Sequence, residues 1–305
     1  MKLYKLRGII AATFTPFHRD GSFNPAPIER YAAFLSASGV KAVFIGGTTG
    51  ESHSMSLDER RALTRRWMEV TKGSELDVII HVGSNCLTDA RDLASQAEKV
   101  GAAAISAVSP AYFKPRSVAS QLECCAQIAS AAPELTFFHY DIPGMTGVSL
   151  SMPALIQLAQ ERIPSFGGLK FSNPDLMMFQ QCLRAGNGRG SVAWGCDESL
   201  LGALVLGCQS AVGSTYNFCA PMAQRLWQTL EHGDLAAARE DQYRIVRCVE
   251  LLSCRGYLGS AKVLMQRHGI DLGPMRLPNS SLDDSQSAEL LSEFEAMGYF
   301  DWLQG

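Results

Sequence analysis

The sequence predicts an α/β chain, a (β/α)8 TIM barrel followed by a C-terminal helical extension. Three observations predict it. Short apolar runs alternate with amphipathic stretches eight times. The runs are apolar throughout rather than at every second residue, and the alternation stops near Gly233. Continuous apolar strands joined by helices call for a parallel sheet covered by helices. Eight such units close into a barrel. A doubly wound open sheet is the competing architecture, but no GxGxxG turn follows the first strand. The barrel is expected over 1–232 and the helical extension over 233–305.

The first run is Gly8-Ile-Ile-Ala-Ala-Thr-Phe14, closed by Thr15-Pro16, with a helix pattern from Pro27 to about Ser38. Ala42-Val-Phe-Ile45 runs straight into Gly46-Gly-Thr-Thr-Gly-Glu51. Ser56 and Glu59 have the spacing of a capping box, so a helix should run to about Lys72. Asp77–Val82 is the third strand and 89–100 its helix. Ala103–Val108 ends at Ser109-Pro110 and precedes a helix over 118–131. Leu135–Tyr140 is broken by Pro143, and Met152–Arg162 is helical. Phe166–Ser172 is the sixth strand, with a helix over 175–184. Ser191–Trp194 and Ser210–Val212 are the last two strands, with helices over 199–206 and 221–231. The remainder reads as helices only, over 235–252, 260–268 and 287–297.

Composition narrows the function classes. A formal charge of −3 with no basic stripe argues against nucleic acid as a partner. No apolar run reaches the roughly 18 residues a membrane span needs, and the charged start Met1–Arg7 does not read as a signal peptide. The nine cysteines show no CxxC or Cys/His spacing, so no metal site is expected. Unpatterned cysteines in odd number fit reduced thiols and a cytoplasmic location.

The chemistry is expected around Phe166-Gly-Gly-Leu-Lys-Phe-Ser172. Lysine is rarely buried without a partner or a task. Desolvation favours the neutral amine, which can attack a carbonyl. Read alone, the run is more simply a strand-end lysine with its head in water. In a barrel, however, active sites lie at the carboxyl ends of the strands, and the unusual residues of this chain fall there. They are Gly47-Thr48-Thr49-Gly50-Glu51, Tyr140, Lys170 with Ser172, Gly195-Cys196-Asp197-Glu198, and Gly213-Ser214-Thr215. A glycine-rich turn offers backbone N–H groups to an anion, and Thr48 and Thr49 add hydroxyls. Tyr140 could move a proton beside a cationic imine, and Asp197 and Glu198 could accept hydrogen bonds from a polyol. The plainer alternative makes Asp197-Glu198 the N-cap and first-turn acid of the following helix. Together the features describe an aldolase acting on a 2-oxo acid.

The chain resembles the N-acetylneuraminate lyase and dihydrodipicolinate synthase superfamily along essentially its whole length. The resemblance rests on Gly8–Phe17, Gly47–Glu51, Ile80–Gly83, Ser109-Pro110, Tyr140–Pro143, Gly168–Lys170 and Gly213–Asn217. It implies a class I aldolase with Lys170 as Schiff-base lysine and Tyr140 as proton shuttle. Thr48 and Thr49 would hold the pyruvyl carboxylate, and Tyr112 would reach a neighbouring subunit's site in a homotetramer. Met145 stands where the synthases carry arginine, which points away from that branch. Gly195, Asp197, Glu198, Gly213 and Ser214 match the branch that binds a sialic-acid tail, and Ser172 stands where that branch often has threonine. The implied reaction splits N-acetylneuraminate into pyruvate and N-acetylmannosamine with no cofactor. A 2-keto-3-deoxy sugar acid aldolase, a dihydrodipicolinate synthase-like enzyme and a silent sialic-acid or 2-oxo-acid binding protein are the alternatives.

Overall fold

The computed structural model describes residues 2–304. Eight parallel strands close in chain order: β1 (Gly8–Ala12), β2 (Ala42–Ile45), β3 (Asp77–His81), β4 (Ala104–Val108), β5 (Thr136–Asp141), β6 (Phe166–Phe171), β7 (Ser191–Trp194) and β8 (Ser210–Gly213). Between them run α1 (Ile28–Ala37), α2 (Leu57–Val70), α3 (Leu87–Lys99), α4 (Val118–Ala129), the short α5 (Pro143–Thr146), α6 (Met152–Arg162), α7 (Leu176–Ala185) and α8 (Leu200–Val205). Then come α9 (Ala220–Glu231), α10 (Leu235–Ser253), α11 (Tyr257–Arg267), α12 (Asp284–Ala296) and α13 (Tyr299–Trp302). The expected barrel is therefore found, and α10 to α13 follow it. Element ends differ from the sequence reading by a few residues, and α5 was not anticipated. The Ser56/Glu59 capping box forms as expected. No helix among the described residues is long and apolar enough to cross a membrane.

Strand side chains alternate between two cores. Ile10, Ala12, Phe44, Ile79, Phe138, Tyr140, Ala193 and Val212 fill the barrel interior. Ile9, Ala11, Val43, Ile80, Phe137, Leu169, Phe171 and Trp194 pack outward against the helices. Apolar residues on both faces are why the strands read as unbroken runs.

β6 breaks this alternation once, and the break sets the site. Phe166 lies in the outer core beside Phe137, at a ring distance of 6.5 Å. Lys170, an even number of residues later, should face the same way. The register with β5 shifts between Phe137 and Phe138, where Phe137 pairs with Phe166 but Phe138 pairs with Gly168. Gly167 is the extra residue of a bulge, which turns every later side chain to the other face. Gly168 takes φ +123° with the carbonyl of Ser191 against the place a Cβ would fill, so only glycine fits. The Gly-Gly pair is what aims Lys170 inward.

Candidate active site

Register brings the two central residues together. Tyr140 of β5 and Lys170 of β6 are direct partners, with Val108 beside Tyr140 and Ala193 beside Lys170. Lys170 is 3% exposed. Its Nζ lies 4.0 Å from the centroid of the Tyr140 ring and 4.1 Å from that of Phe44. Two aromatic faces hold a cation by their quadrupoles, so the lysine sits in an apolar seat. The Tyr140 hydroxyl is 3.4 Å from Thr48 Oγ1, joining the lysine wall to the turn after β2.

Below them His81 packs edge-on to Tyr140 with ring centroids 6.0 Å apart. Its Nδ1 lies 2.8 Å from the Gly46 carbonyl, and the Val108 N–H donates to Nε2 at 3.4 Å. That pattern fits a neutral ring. Burial, reinforced by the Arg60 cation, pushes its pKa well below the usual histidine range. Arg60 itself is buried and donates to the carbonyls of His81 and Gly83, both at 2.9 Å.

The turn after β2 is closed by bonds from Glu51 N–H to the Thr48 carbonyl at 3.0 Å and from Ser52 N–H to the Gly47 carbonyl at 3.3 Å. Thr48 is half-buried, Thr49 is buried, and both line the same cavity as Tyr140 and Lys170. Ser172, Gly195, Asp197, Glu198, Gly213 and Ser214 line the same cavity. The cavity holds about 360 Å³. Four other grooves are larger, at about 470, 530, 580 and 910 Å³, but none of them reaches Tyr140 or Lys170.

Asp197 departs from the helix-cap alternative. α8 begins after Ser199, and Asp197 instead opens a 3₁₀ turn, Asp197–Ser199. Its Oδ2 accepts from Thr215 N–H at 2.9 Å and from Thr215 Oγ1 at 2.6 Å, while Oδ1 is buried with no partner. Burial raises its pKa, the Thr215 bonds lower it, and Glu198 raises it further. Gly213 is required beside it, because a Cβ there would overlap the carboxylate. Glu198 is exposed at the rim. Gln242 of α10 fixes this loop, donating to the Asp197 carbonyl at 3.2 Å and accepting from Leu201 N–H at 2.7 Å. Cys196 contributes its carbonyl to Trp194 Nε1 at 2.6 Å.

Tyr112 does not line the cavity of its own chain. It is 79% exposed, and Phe113 beside it is 85% exposed. Their rings meet edge-on at 5.0 Å. Asn85 Oδ1 fixes the loop by accepting from the N–H groups of Ala111 at 2.8 Å and Tyr112 at 3.1 Å.

Sequence reasoning missed one wall. Val249, Tyr257 and Leu258, from α10 and α11, line the cavity together with Ile142 and Met145. Ser214 Oγ donates to the Tyr257 hydroxyl at 2.9 Å. The helices after the barrel carry no motif that would have flagged them. Among the described residues no cluster of His, Cys, Asp and Glu could hold a metal ion.

Fold and mouth define a class: a (β/α)8 barrel whose cavity is centred on a strand-borne lysine beside a tyrosine. The profile of the Dihydrodipicolinate synthetase family matches residues 5–297, and the chain belongs to that family. It is 36% identical to the N-acetylneuraminate lyase of Rattus norvegicus over 98% of this chain and 94% of that relative. It is 40% identical to N-acetylneuraminate lyase A of Xenopus laevis over 90% of each chain. The solved N-acetylneuraminate lyase of Proteus mirabilis superposes with a TM-score of 0.93 at 38% identity, over 96% of this chain and 99% of that one.

Proposed function

We propose that this chain is a carbon–carbon lyase that reversibly cleaves N-acetylneuraminate to pyruvate and N-acetylmannosamine through a Schiff base. The observation that carries the reading is the register pairing of Tyr140 with Lys170 at the floor of the cavity. The lyases of the rat, the frog and Proteus, similar over nearly their whole length, supply the substrate.

In this reading the Lys170 amine adds to the C2 ketone of the open-chain sugar and loses water, giving an iminium. The Thr48–Thr49 turn holds the C1 carboxylate. Tyr140 takes the proton of the C4 hydroxyl. The C3–C4 bond breaks, its electron pair flows to the iminium, and N-acetylmannosamine leaves as the aldehyde. The remaining enamine is protonated at C3, and hydrolysis frees pyruvate and Lys170. A positioned acid–base group contributes about 10² to 10⁴ in rate. Asp197, Glu198, Ser172, Gly195, Gly213 and Ser214 receive the hydroxylated tail. No cofactor enters.

Two further statements belong to the same proposal. The 1–232 barrel and the 233–305 extension form one functional unit, and the protein works as a cytoplasmic homotetramer in which Tyr112 enters a neighbouring subunit's site. The outward set of Tyr112 and Phe113 supports the latter. The test is turnover. Pyruvate and N-acetylmannosamine should appear in equal amounts from N-acetylneuraminate. Pyruvate released only from 2-keto-3-deoxy sugar acids would replace the substrate, and binding without release would make the chain a binding protein.

A further inference from the structure

Holding a carboxylate in the turn after β2 requires the turn itself to be held. Glu51 ends it at φ +53°, a left-handed conformation uncommon for a residue with a Cβ. The Glu51 side chain is fully buried, yet it does not line the cavity. Its Oε1 lies 3.1 Å from Lys262 Nζ, and its Oε2 accepts from the Arg276 backbone N–H at 2.9 Å. Lys262, on α11, is itself buried and donates to the carbonyls of Thr15 at 3.0 Å and Pro274 at 2.8 Å. Thr15 Oγ1 in turn donates to the Gly50 carbonyl at 2.6 Å. The Arg276 guanidinium pairs with Glu59 and donates to the carbonyls of Ser54 at 2.8 Å and Gly21 at 2.7 Å. One ammonium therefore joins the segment after β1, the turn after β2 and the segment after α11.

We propose that Lys262, acting through Glu51, is a positioning residue for the Thr48–Thr49 carboxylate cradle, so that the helices after the barrel set substrate affinity from outside the cavity. The proposal rests on the reading of that turn as the carboxylate site. Removing the ammonium leaves a buried carboxylate without its counter-charge, which is strongly unfavourable. Glu51 must then shift or take up a proton. Its N–H bond to the Thr48 carbonyl carries the shift to the cradle. Displacing a substrate-holding group by about 1 Å costs on the order of 10²-fold.

The experiment measures KM for pyruvate and kcat in the condensation direction, with thermal midpoints, on the full chain. Lys262→Met is the main variant. Glu51→Gln keeps the side-chain volume and an acceptor for Arg276, and it carries the test if Lys262→Met does not fold. Each should raise the pyruvate KM by about ten-fold or more, with kcat at saturation near the parent value. The double variant should be no worse than the more affected single variant, because both act through one link. A lower thermal midpoint with unchanged KM in both single variants would make the pair structural only and overturn the proposal. Thr48→Val is the control. If it raises the pyruvate KM while Lys262→Met and Glu51→Gln do not, the proposal falls alone. If a Thr48→Val, Thr49→Val double variant leaves that KM unchanged, the carboxylate reading falls and takes the proposal with it.

Discussion

The two edges of the barrel mouth are built differently. β5 and β6 pair in unbroken register from Phe138 to Asp141, and Tyr140 and Lys170 both stand on the strands. β7 and β8 meet in register at Trp194 and Ala211, and their polar residues stand on the loops beyond. On the first edge a backbone ladder fixes Tyr140 against Lys170. On the second, side chains do the fixing: Asp197 is held by Thr215, its loop by Gln242, and Ser214 by Tyr257. Strand-borne chemistry cannot drift without breaking the barrel, whereas a loop-borne wall changes with a few substitutions. Under the proposed function, one edge would preserve the reaction and the other would select its substrate.

The largest effect should come from Lys170→Ala. Turnover should vanish, and borohydride with pyruvate should no longer leave a reduced adduct that mass spectrometry places on Lys170 in the parent. An adduct on another lysine would move the chemistry off the β5–β6 edge. Tyr140→Phe comes next. It should lower kcat by about 10² to 10⁴ while pyruvate is still trapped on Lys170, because the imine needs only the amine.

On the other edge the split should reverse. Asp197→Ala should lower kcat/KM for N-acetylneuraminate by about ten- to a hundred-fold, the worth of one hydrogen bond to a charged group. Trapping of pyruvate should be nearly unaffected. Asp197→Asn keeps an acceptor for Thr215 and so separates loop stability from sugar binding. If Asn restores full activity, the carboxylate serves only its own loop. Equal damage to pyruvate trapping and sugar cleavage would erase the distinction between the edges.

The smallest effect is on stability against pH, and it concerns the outer face of β5. His139 and Asp141 flank Tyr140. Burial lowers the His139 pKa to about 4 and raises that of Asp141 to about 6. His268, behind the barrel, is lowered by burial and by Arg267 to about 4. A histidine lowered on folding adds stability that is complete above 6.5 and is lost as pH falls toward 4. A raised aspartate does the opposite, adding stability below 3.8 that is lost as pH rises through 6. Four histidines, counting His53 and His81, oppose two aspartates, Asp141 and Asp197, so urea unfolding should show stability rising between pH 4 and 6.5. Asp141→Asn should steepen that rise. A flat profile in both proteins would mean that these groups keep their ordinary pKa values.

The barrel was legible because its strands are apolar on both faces and its helices are amphipathic, a pattern set by local periodicity. The reactive pair was legible because a lysine inside an apolar run and a tyrosine at a strand end are chemically conspicuous. What lay behind them was not. The Gly167 bulge depends on register with β5, which periodicity does not encode. Asp197 looks like a helix cap from its sequence neighbours, and only the fold shows Thr215 beneath it. Lys262 and Arg276 reach Glu51 across more than two hundred residues, from a helix and a loop without a motif, and Tyr257 stands on the same helix as Lys262.

The Glu51 clasp also has a consequence in time. Arg276 is 225 residues beyond Glu51. At about 5–20 residues per second, a ribosome needs roughly 11–45 s to cover that distance. For the later part of that interval the nascent chain already carries Lys170 while the turn after β2 lacks its fastener. Under the proposed function, the Schiff-base amine is therefore made before the chain can grip a 2-oxo acid well. In that reading the grip follows the whole barrel, so any ligand-driven stabilisation during synthesis is reserved for chains that have passed α11.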